Sequence, residues 1–327
     1  METFTANMSV IVINMNHSNC SDTSADIMSV VESVTVLINL VLCVIICAGN
    51  TLTIVAVWKT LSLRTVPNMY VVSLAVADLL AGVMSLYQCV KYLPKMQKIF
   101  DCYKFMCLTR HMLLVTSLAA SVLTMVVLAI DRLVYIKFCL HYDRMMTPRR
   151  ALMNLGAAWG VAILVGTVSL YHNSWETATQ CTMFEVFTVY LQLYTLVPAY
   201  IVCCIVIACC YCYIGFICYR HRRDIIRQEQ LTAPDIAHTS SRLRQGWQLI
   251  QLFMMVYGTF ILCWTPCMVA LALGYTIGIN TDVMNFLVPL AVANCGMNFF
   301  IYAFKNSDFR SAFKNILCGK RRKADGY

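Results

Sequence analysis

The chain has 327 residues, of which 60% are hydrophobic and only 13% are charged. Soluble domains are roughly 45–50% apolar and 25% charged, so this composition excludes an ordinary water-soluble protein and makes a lipid bilayer the solvent for much of the chain. The formal net charge of +9 comes mostly from loops and one tail. This distribution favours contact with a membrane surface and argues against a nucleic-acid partner.

The apolar residues fall into seven blocks separated by short polar segments. The blocks span residues 34–58, 69–90, 112–130, 151–170, 186–219, 249–273 and 283–304. Each block is long enough to cross a hydrocarbon core as a helix, which takes about 20 residues, whereas the strands of a barrel would be shorter and alternating. The sequence therefore predicts an all-α membrane protein with a seven-helix bundle. It divides into a tail (1–33), the membrane domain (34–304) and a basic tail (305–327).

The orientation of the bundle follows from its basic residues. Lys and Arg concentrate in the loops after the first, third and fifth blocks and in the carboxy-terminal tail. Because cytoplasmic loops carry an excess of these residues, we expect a multi-pass plasma-membrane protein with its amino terminus outside and its carboxyl terminus inside. Three N-x-S sequons, at Asn7, Asn16 and Asn19, lie in the tail expected outside. They are expected to carry glycans.

Only one acidic or basic side chain, that of Asp78, lies inside the seven blocks. A carboxylate within a membrane helix costs several kcal/mol unless it is partnered, which marks Asp78 as a functional position. An intramembrane enzyme would need paired catalytic groups or a metal-ligand spacing such as H-E-x-x-H, and a transporter would show internal repeats or broken helices. The sequence has none of these features, so we expect neither an enzyme nor a transporter.

The 18 cysteines do not predict a disulfide-rich scaffold. Six of them lie in the fifth block, where they serve as small apolar packing residues. Cys107 begins the third helix and Cys181 lies in the loop before the fifth. A disulfide between them is expected to hold this loop over the mouth of the bundle, in an oxidising compartment. A second pairing, of Cys20 with Cys102, is left open.

The segment 306–317 predicts a short amphipathic helix after the last membrane helix, with Phe309 and Phe313 on one face. Cys318 follows among basic residues, where palmitoylation would anchor the helix to membrane lipids; the alternative is an unmodified thiol. The tail beyond Leu317 has no Ser or Thr. Recruitment of arrestin through this tail is therefore expected to be weak.

A set of motifs in chain order resembles the rhodopsin-like (class A) G-protein-coupled receptors. The motifs are Gly49-Asn50, Leu74-Ala75-Val76-Ala77-Asp78, Asp131-Arg132-Leu133, Trp159, Pro198, Cys263-Trp264-Thr265-Pro266 and Asn298-Phe299-Phe300-Ile301-Tyr302. The resemblance covers all seven predicted helices. It implies a receptor that converts binding of an extracellular small ligand into activation of a heterotrimeric G protein, through outward movement of the sixth helix.

The resemblance also implies which residues act. Oxygen ligands for a sodium ion, an allosteric modulator and the only expected cofactor, are implied at Asp78, Ser121, Asn294 and Asn298. The alternative for Asp78 is a neutral carboxyl group hydrogen-bonded to waters. The implied residues of the switch that exposes the G-protein site are Asp131, Arg132, Phe260, Trp264, Pro266 and Tyr302. In the resting state Arg132 would pair with Asp131.

Departures from the family pattern concern this switch. Phe299 replaces the usual proline of the seventh helix, so this helix should keep one more backbone hydrogen bond and kink less. Val206 replaces a usual tyrosine of the fifth helix, with Tyr211 further on, and Leu133 replaces the tyrosine after Arg132. Residues 242–248 contain no acid to form a second resting lock. Raised basal signalling is therefore expected.

The ligand is narrowed mainly by exclusion. Leu114 stands where aminergic receptors carry an aspartate, and Val292 stands where opsins carry their lysine. The residues expected to bind a ligand are Arg110, His111, Leu114, Phe184, Glu185, Trp264, Met268 and Leu271.

Two positive interpretations of these residues remain open. Arg110 could pair with an anionic lipid-like headgroup, or simply snorkel at the interface. Phe184 and Glu185, after Cys181, distantly resemble the nucleoside-binding series of adenosine receptors. The alternative is an orphan-type receptor with no dedicated ligand, acting through basal activity or heteromers.

Overall fold

A computed structural model describes residues 30–90, 93–138, 141–229, 236–274 and 281–318. Within this part of the chain, seven helices are long and apolar enough to cross a membrane, which confirms the predicted all-α bundle. The sequons at Asn7, Asn16 and Asn19, the candidate partner Cys20 and the tail beyond Cys318 lie outside the described residues.

The membrane helices are labelled α1 to α7 in chain order. They are α1 (Val30–Lys59), α2 (Val66–Val90), α3 (Lys104–Lys137), α4 (Pro148–Tyr171), α5 (π-helical Tyr190–Leu196 continuing as α-helical Val197–Glu229), α6 (Ile236–Leu273) and α7 (Thr281–Lys305). The amphipathic helix α8 spans Ser307–Leu317. Short helices in the connections span Pro94–Cys102, Tyr142–Met145 and Met183–Val186.

Several helices extend beyond their apolar blocks, and α3 shows why. It begins at Lys104 and ends at Lys137, beyond both limits of the block at 112–130. The added turns carry Arg110 and Arg132, which are only 1% and 4% exposed because protein groups surround them. Hydropathy alone underestimates such a helix, since it scores a buried and partnered arginine as if it faced lipid.

Local signals set the helix starts that frame the bundle. Thr147 caps α4 by accepting a hydrogen bond from the Arg150 backbone N–H at 3.4 Å, and Pro148 occupies the first turn. Asn306 caps α8 in the same way, accepting from the backbone N–H groups of Asp308 at 3.0 Å and Phe309 at 3.3 Å. The predicted amphipathic helix is therefore present, with its own N-cap.

Glycines allow close approach between some of these helices. A Cβ added to Gly166 of α4 would lie 2.0 Å from Thr116 Oγ1 and 2.9 Å from the backbone oxygen of Met112, both on α3. Small residues at such crossings let two helix backbones pack directly in a membrane. Gly166 is thus a requirement of the α3–α4 contact.

The departure at Phe299 has a structural counterpart on α1. A Cβ added to Gly49 would lie 2.7 Å from Phe299 Cγ, so the aromatic ring occupies the space that a larger residue would fill. The same ring lies 5.2 Å from that of Phe313 on α8. The helix α7 runs through Phe299 to Lys305, as expected for a residue that keeps its backbone N–H, and its proline is Pro289.

Candidate functional site

Three buried polar clusters follow the axis of the bundle, and the first lies at the end that holds the disulfide. Cys107 of α3 and Cys181 of the following loop form the predicted bond, with Cα atoms 5.8 Å apart. Cys102 is also disulfide-bonded. The Cys107–Cys181 bond ties the loop before α5 directly to the start of α3.

A cleft of about 100 Å³ lies beneath this loop. Its lining comprises Thr35, Asn39, Gln88, Arg110, His111, Leu114, Cys181, Thr182, Met183, Phe184, Met284, Val288 and Pro289. Four predicted ligand residues are in this lining: Arg110, His111, Leu114 and Phe184. Trp264, Met268 and Leu271 lie on α6 and are not, although Trp264 and Leu271 are buried. The cleft therefore lies between α1, α2, α3 and α7, away from α6.

Arg110 supplies the positive charge in the lining of this cleft. Its Nη1 donates to Gln88 Oε1 at 2.8 Å, and its Nη2 donates to the Cys181 carbonyl at 2.8 Å. The guanidinium carbon lies 5.2 Å from the ring centre of Phe100. Since Arg110 is only 1% exposed, it does not snorkel toward the interface. Its charge is held inside the protein, where it can bind an anion strongly.

His111 beside it is held in one tautomer. Its Nδ1 lies 3.0 Å from the Cys107 carbonyl oxygen, and its Nε2 lies 3.2 Å from Arg110 Nη2. A carbonyl can only accept and a guanidinium can only donate, so the proton is assigned to Nδ1 and Nε2 accepts. The imidazole is therefore neutral and supports Arg110.

Glu185 does not line the cleft, unlike the four residues before it, Cys181 to Phe184. Its side chain is exposed, and Oε2 accepts hydrogen bonds from Thr179 N at 2.7 Å, Thr179 Oγ1 at 2.8 Å and Gln180 N at 2.9 Å. The carboxylate thus closes a turn of its own loop. Sequence spacing placed Glu185 next to Phe184 but could not show that adjacent side chains face opposite ways.

Sequence analysis missed the contributions of α1, α2 and α7 to this cleft. Thr35 and Asn39 are 3% and 7% exposed on α1, and Gln88 of α2 accepts from Arg110. These polar side chains stand alone inside apolar blocks, and such side chains tend to face the bundle interior. Their position in the sequence could therefore have predicted their place in the cleft.

The second cluster surrounds Asp78, which has no exposed surface. Ser121 Oγ donates to Asp78 Oδ1 at 2.8 Å, and Asn298 Nδ2 donates to Asp78 Oδ2 at 2.7 Å. The Cys295 side chain lies close enough to this carboxylate to interact with it electrostatically. The structure therefore brings together residues of α2, α3 and α7 that are distant in sequence.

This cluster fits a small hard cation. Asn294 Oδ1 and Asn298 Oδ1 are both buried, and neither has a hydrogen-bond donor among the described residues. Buried acceptors without donors are costly, and carboxylate, hydroxyl and amide oxygens are the ligands that hard cations prefer. Ser121 and Asn298 thus contact Asp78 directly, and the buried Oδ1 atoms of Asn294 and Asn298 are spare oxygen ligands.

A column of aromatic rings leads from Trp264 toward the other end of the bundle. Ring centres are separated by 6.3 Å from Trp264 to Phe260, 6.4 Å from Phe260 to Tyr257 and 6.1 Å from Tyr257 to Tyr211. Tyr211 is close enough to Arg132 to interact electrostatically. Pro266 lies inside the same helix as Trp264, where a proline removes a backbone hydrogen bond and weakens the helix locally.

The third cluster holds Arg132 at the end opposite the disulfide. Arg132 Nε donates to Asp131 Oδ2 at 3.0 Å, and Arg132 Nη2 donates to the same oxygen. The Tyr142 hydroxyl donates to Asp131 Oδ1 at 2.9 Å and lies 3.3 Å from Arg132 Nη2. The guanidinium carbon lies 5.3 Å from the Tyr135 ring centre. Asp131 and Arg132 are therefore paired, in the arrangement expected of a resting state.

Tyr142 is a member of this cluster that sequence analysis missed. It lies in the short helix after α3, is 6% exposed, and packs edge-on against Tyr135 at 5.0 Å. Burial raises the pKa of the Tyr142 hydroxyl above its ordinary value, so the group stays protonated and can donate. Nothing in the local sequence distinguishes this tyrosine, because its role arises from the path of the loop.

Tyr302 lies nearer the same end, stacked at 5.3 Å on Phe309 of α8. Its hydroxyl is buried and has no hydrogen-bond partner among the described residues. The switch residues therefore form two groups, Asp131 and Arg132 on one side and Phe260, Trp264 and Pro266 on another, with Tyr302 joining α7 to α8.

Comparisons with known proteins identify the family of the chain. The family model described as 7 transmembrane receptor (rhodopsin family) matches residues 49–302. The chain is similar to 5-hydroxytryptamine receptor 4 of Cavia porcellus, 29% identical over 306 residues that cover 83% of this chain and 76% of that receptor. It is similar to somatostatin receptor type 2 of Sus scrofa, 26% identical and covering 94% and 82%. Histamine H2 receptor of Homo sapiens is 28% identical, covering 85% and 77%.

Proposed function

Because the chain belongs to the rhodopsin family of seven-transmembrane receptors, we propose that a ligand bound in the cleft at the disulfide end activates a heterotrimeric G protein at the Arg132 end. The protein is a multi-pass signalling receptor of the plasma membrane. The observation that carries the proposal is the buried Asp131–Arg132–Tyr142 cluster, a charged group that can be released by a movement of helices.

The orientation in the membrane is part of this proposal. The disulfide end faces the extracellular side, where a bond such as Cys107–Cys181 persists. The Arg132 end faces the cytoplasm, since the loops with most Lys and Arg lie there. This arrangement puts the cleft in reach of an external ligand and Arg132 in reach of a G protein.

The ligand we propose is small and carries an anionic group. Arg110 places a full charge in the lining, while Leu114 offers no counter-ion for a protonated amine. Two relatives are named for amines and one for a peptide, and they do not agree on one ligand class. A nucleoside is less favoured, because Glu185 points away from the cleft into its own loop.

The same geometry allows action without a ligand. The cleft is small, at about 100 Å³, whereas ligand pockets usually measure roughly 300–1,000 Å³. A small cleft suits either a compact ligand or a receptor that signals from its basal equilibrium. In both cases the cluster of Asp131, Arg132 and Tyr142 must hold the resting state. We call this cluster the resting lock, and a test of it applies to both cases.

Removing the Tyr142 hydroxyl tests the lock. Tyr142→Phe deletes the donor to Asp131 and keeps the ring against Tyr135, and a hydrogen bond to a charged group contributes about 1.5–3 kcal/mol. Ligand-free signalling should therefore rise by about ten-fold or more. The measurement is nucleotide exchange on each class of Gα subunit, in membranes with equal surface receptor.

Tyr135→Phe is the matched control, because it removes a hydroxyl from the neighbouring ring and keeps its edge-on contact with Tyr142. It should leave basal exchange near the wild-type value. If neither wild type nor Tyr142→Phe raises exchange on any Gα class, with or without anionic candidate ligands, the proposed function is wrong.

We further propose that sodium binds beside Asp78 and favours the resting state. Asp78, Ser121, Asn294 and Asn298 would hold the ion through oxygen atoms, and a bound cation supplies positive charge to a buried carboxylate. A ligand that prefers one conformation stabilises it in proportion to its differential affinity.

Asp78→Asn should therefore abolish the effect of sodium. Basal exchange by the wild type is expected to fall by about several-fold in sodium chloride relative to potassium chloride at equal ionic strength, whereas Asp78→Asn should give equal rates. Ser85→Ala, which removes a buried hydroxyl elsewhere on α2, should respond as the wild type. An unchanged sodium response in Asp78→Asn would place the ion elsewhere.

A further inference from the structure

Three consecutive residues of the loop after α2 hold the disulfide end of the cleft. Phe100 is 1% exposed, and its ring centre lies 5.2 Å from the guanidinium carbon of Arg110. Asp101 Oδ1 accepts a hydrogen bond from the Cys181 backbone N–H at 2.7 Å. Cys102 ends the helix Pro94–Cys102, is 8% exposed and is disulfide-bonded. The bond of Cys102 therefore acts on the part of the chain that positions Arg110 and Cys181.

The partner of Cys102 follows from the states of the other cysteines. The chain has 18 cysteines, and thirteen of those in the described residues are free. Cys107 and Cys181 are bonded to each other. Apart from Cys102 itself, Cys20 and Cys139 remain, and both lie outside the described residues. Within a single chain, the partner is therefore one of these two.

Cys139 is too far from Cys102. It directly follows Phe138, the C-cap of α3, whereas Cys102 precedes Tyr103, the N-cap of the same helix. The helix between these caps has 34 residues, and at 1.5 Å per residue it is about 50 Å long. Disulfide-bonded cysteines have Cα atoms within about 7 Å of each other. Cys102 and Cys139 therefore lie at opposite ends of the bundle and cannot be bonded in one chain.

Cys20 is within reach of Cys102. It precedes Val30, the first residue of α1, by ten positions, and ten extended residues span up to about 35 Å. Thr35, near the start of α1, lines the same cleft as Cys181. Cys181 is in turn hydrogen-bonded to Asp101, the neighbour of Cys102. Since α1 begins at the end of the bundle that holds Cys102, a connection of ten residues suffices.

We infer that Cys102 is bonded to Cys20, which joins the amino-terminal tail covalently to the helix Pro94–Cys102. When the bond forms, the two thiols together lose two protons and two electrons to a protein disulfide of the secretory pathway, which is reduced to a dithiol. The tail, this helix and α3 are then held together at Cys181, because Asp101 binds its N–H group and Cys107 is bonded to its sulfur. The bond forms whether or not the receptor signals, so it is independent of the proposed function.

The partner can be identified on the purified full-length receptor. Cells are lysed in excess alkylating agent to block free thiols, and the receptor is purified, deglycosylated and digested with trypsin without reduction. Cys102 is the only cysteine of tryptic peptide 99–104, whereas Cys20 lies in peptide 1–59 and Cys139 in peptide 138–144. Reduction should release peptide 99–104 together with peptide 1–59, in which Cys20 alone has escaped alkylation. Release with peptide 138–144, or from a covalent dimer of the receptor, would overturn the inference.

Removing Cys20 should leave Cys102 with an unbonded thiol. In Cys20→Ala, the alkylated form of peptide 99–104 should increase by about ten-fold or more over the wild type, because this thiol has lost its disulfide partner. Cys139→Ala is the matched control and should leave the peptide as it is in the wild type. Equal alkylation of Cys102 in the wild type and in Cys20→Ala would contradict the pairing.

Thermal unfolding separates the bond from effects of the individual side chains. The unfolding midpoint of Cys102→Ala should fall by several degrees, because the unfolded chain loses a cross-link. The double variant of Cys20→Ala and Cys102→Ala should fall no further, because two residues that act through one bond are not additive. A loss equal to the sum of the two single losses would show that the two cysteines act separately. The peptide map of the wild type decides the pairing even where a variant does not fold.

Discussion

Receptor carrying Arg132→Ala is expected to lose G-protein activation entirely, both basal and ligand-stimulated. The cluster of Asp131, Arg132 and Tyr142 holds the guanidinium of Arg132 in the resting arrangement, where Arg132 is 4% exposed. A movement of helices can release this charged group. Opening of α6 would expose an arginine, and a G protein would gain charge-assisted hydrogen bonds from it. The measurement is nucleotide exchange on the Gα class that the wild type activates.

The substitution also leaves Asp131 buried beside fewer partners, which is costly, so surface expression must be measured with it. Arg132→Lys keeps the charge but not the planar fork, and should retain reduced activity at normal expression. Arg144→Ala removes an exposed cation nearby and should signal as the wild type. Full activity of Arg132→Ala at normal expression would show that the lock is not the switch.

Gly166→Ala is expected to lower the stability of the folded receptor more than any other single methyl group added to a described glycine. The new Cβ would lie 2.0 Å from Thr116 Oγ1 and 2.9 Å from the Met112 carbonyl oxygen, and the second of these atoms belongs to the backbone. Overpacking of this kind costs about 1–3 kcal/mol. The thermal unfolding midpoint of the purified receptor should therefore fall by several degrees.

Gly160→Ala provides the control six residues earlier in the same helix. Its Cβ meets nothing within 4 Å, and alanine is favoured over glycine in a helix by roughly 1 kcal/mol. Its midpoint should stay level or rise. Adding Thr116→Ala to Gly166→Ala should restore part of the loss, since it removes the nearer atom but leaves the Met112 oxygen. A Gly166→Ala receptor as stable as Gly160→Ala would contradict the close α3–α4 approach.

The fold could be predicted from the sequence because the bilayer imposes long apolar helices, and their lengths are visible as blocks. The ends of the helices were less accurate. Arg110 and Arg132 lie inside α3 but outside the apolar block 112–130, because hydropathy cannot distinguish an arginine in water from one paired inside a protein. Partnering is a property of the tertiary structure.

The residues of the candidate sites also differ in how well the sequence predicts their positions. Ser121 and Asn298 contact Asp78 because each side chain is fixed by its place on a regular helix. The positions of side chains in the loop before α5 could not be predicted in this way, since Phe184 lines the cleft and Glu185 faces its own turn. Tyr142 could not be predicted, because the loop after α3 must fold before its hydroxyl reaches Asp131. Helical periodicity therefore predicts which side chains of a helix face a site, whereas the path of a loop cannot be predicted in this way.

The fit of the Phe299 ring against Gly49 constrains how this lineage can change. A side chain cannot be gained at Gly49 while the ring occupies the space 2.7 Å from its would-be Cβ. Replacing Phe299 by proline first would empty that space and remove the ring contact with Phe313 of α8. Phe299 must therefore be substituted before a larger residue can replace Gly49. Homologues that keep the phenylalanine are expected to keep the glycine.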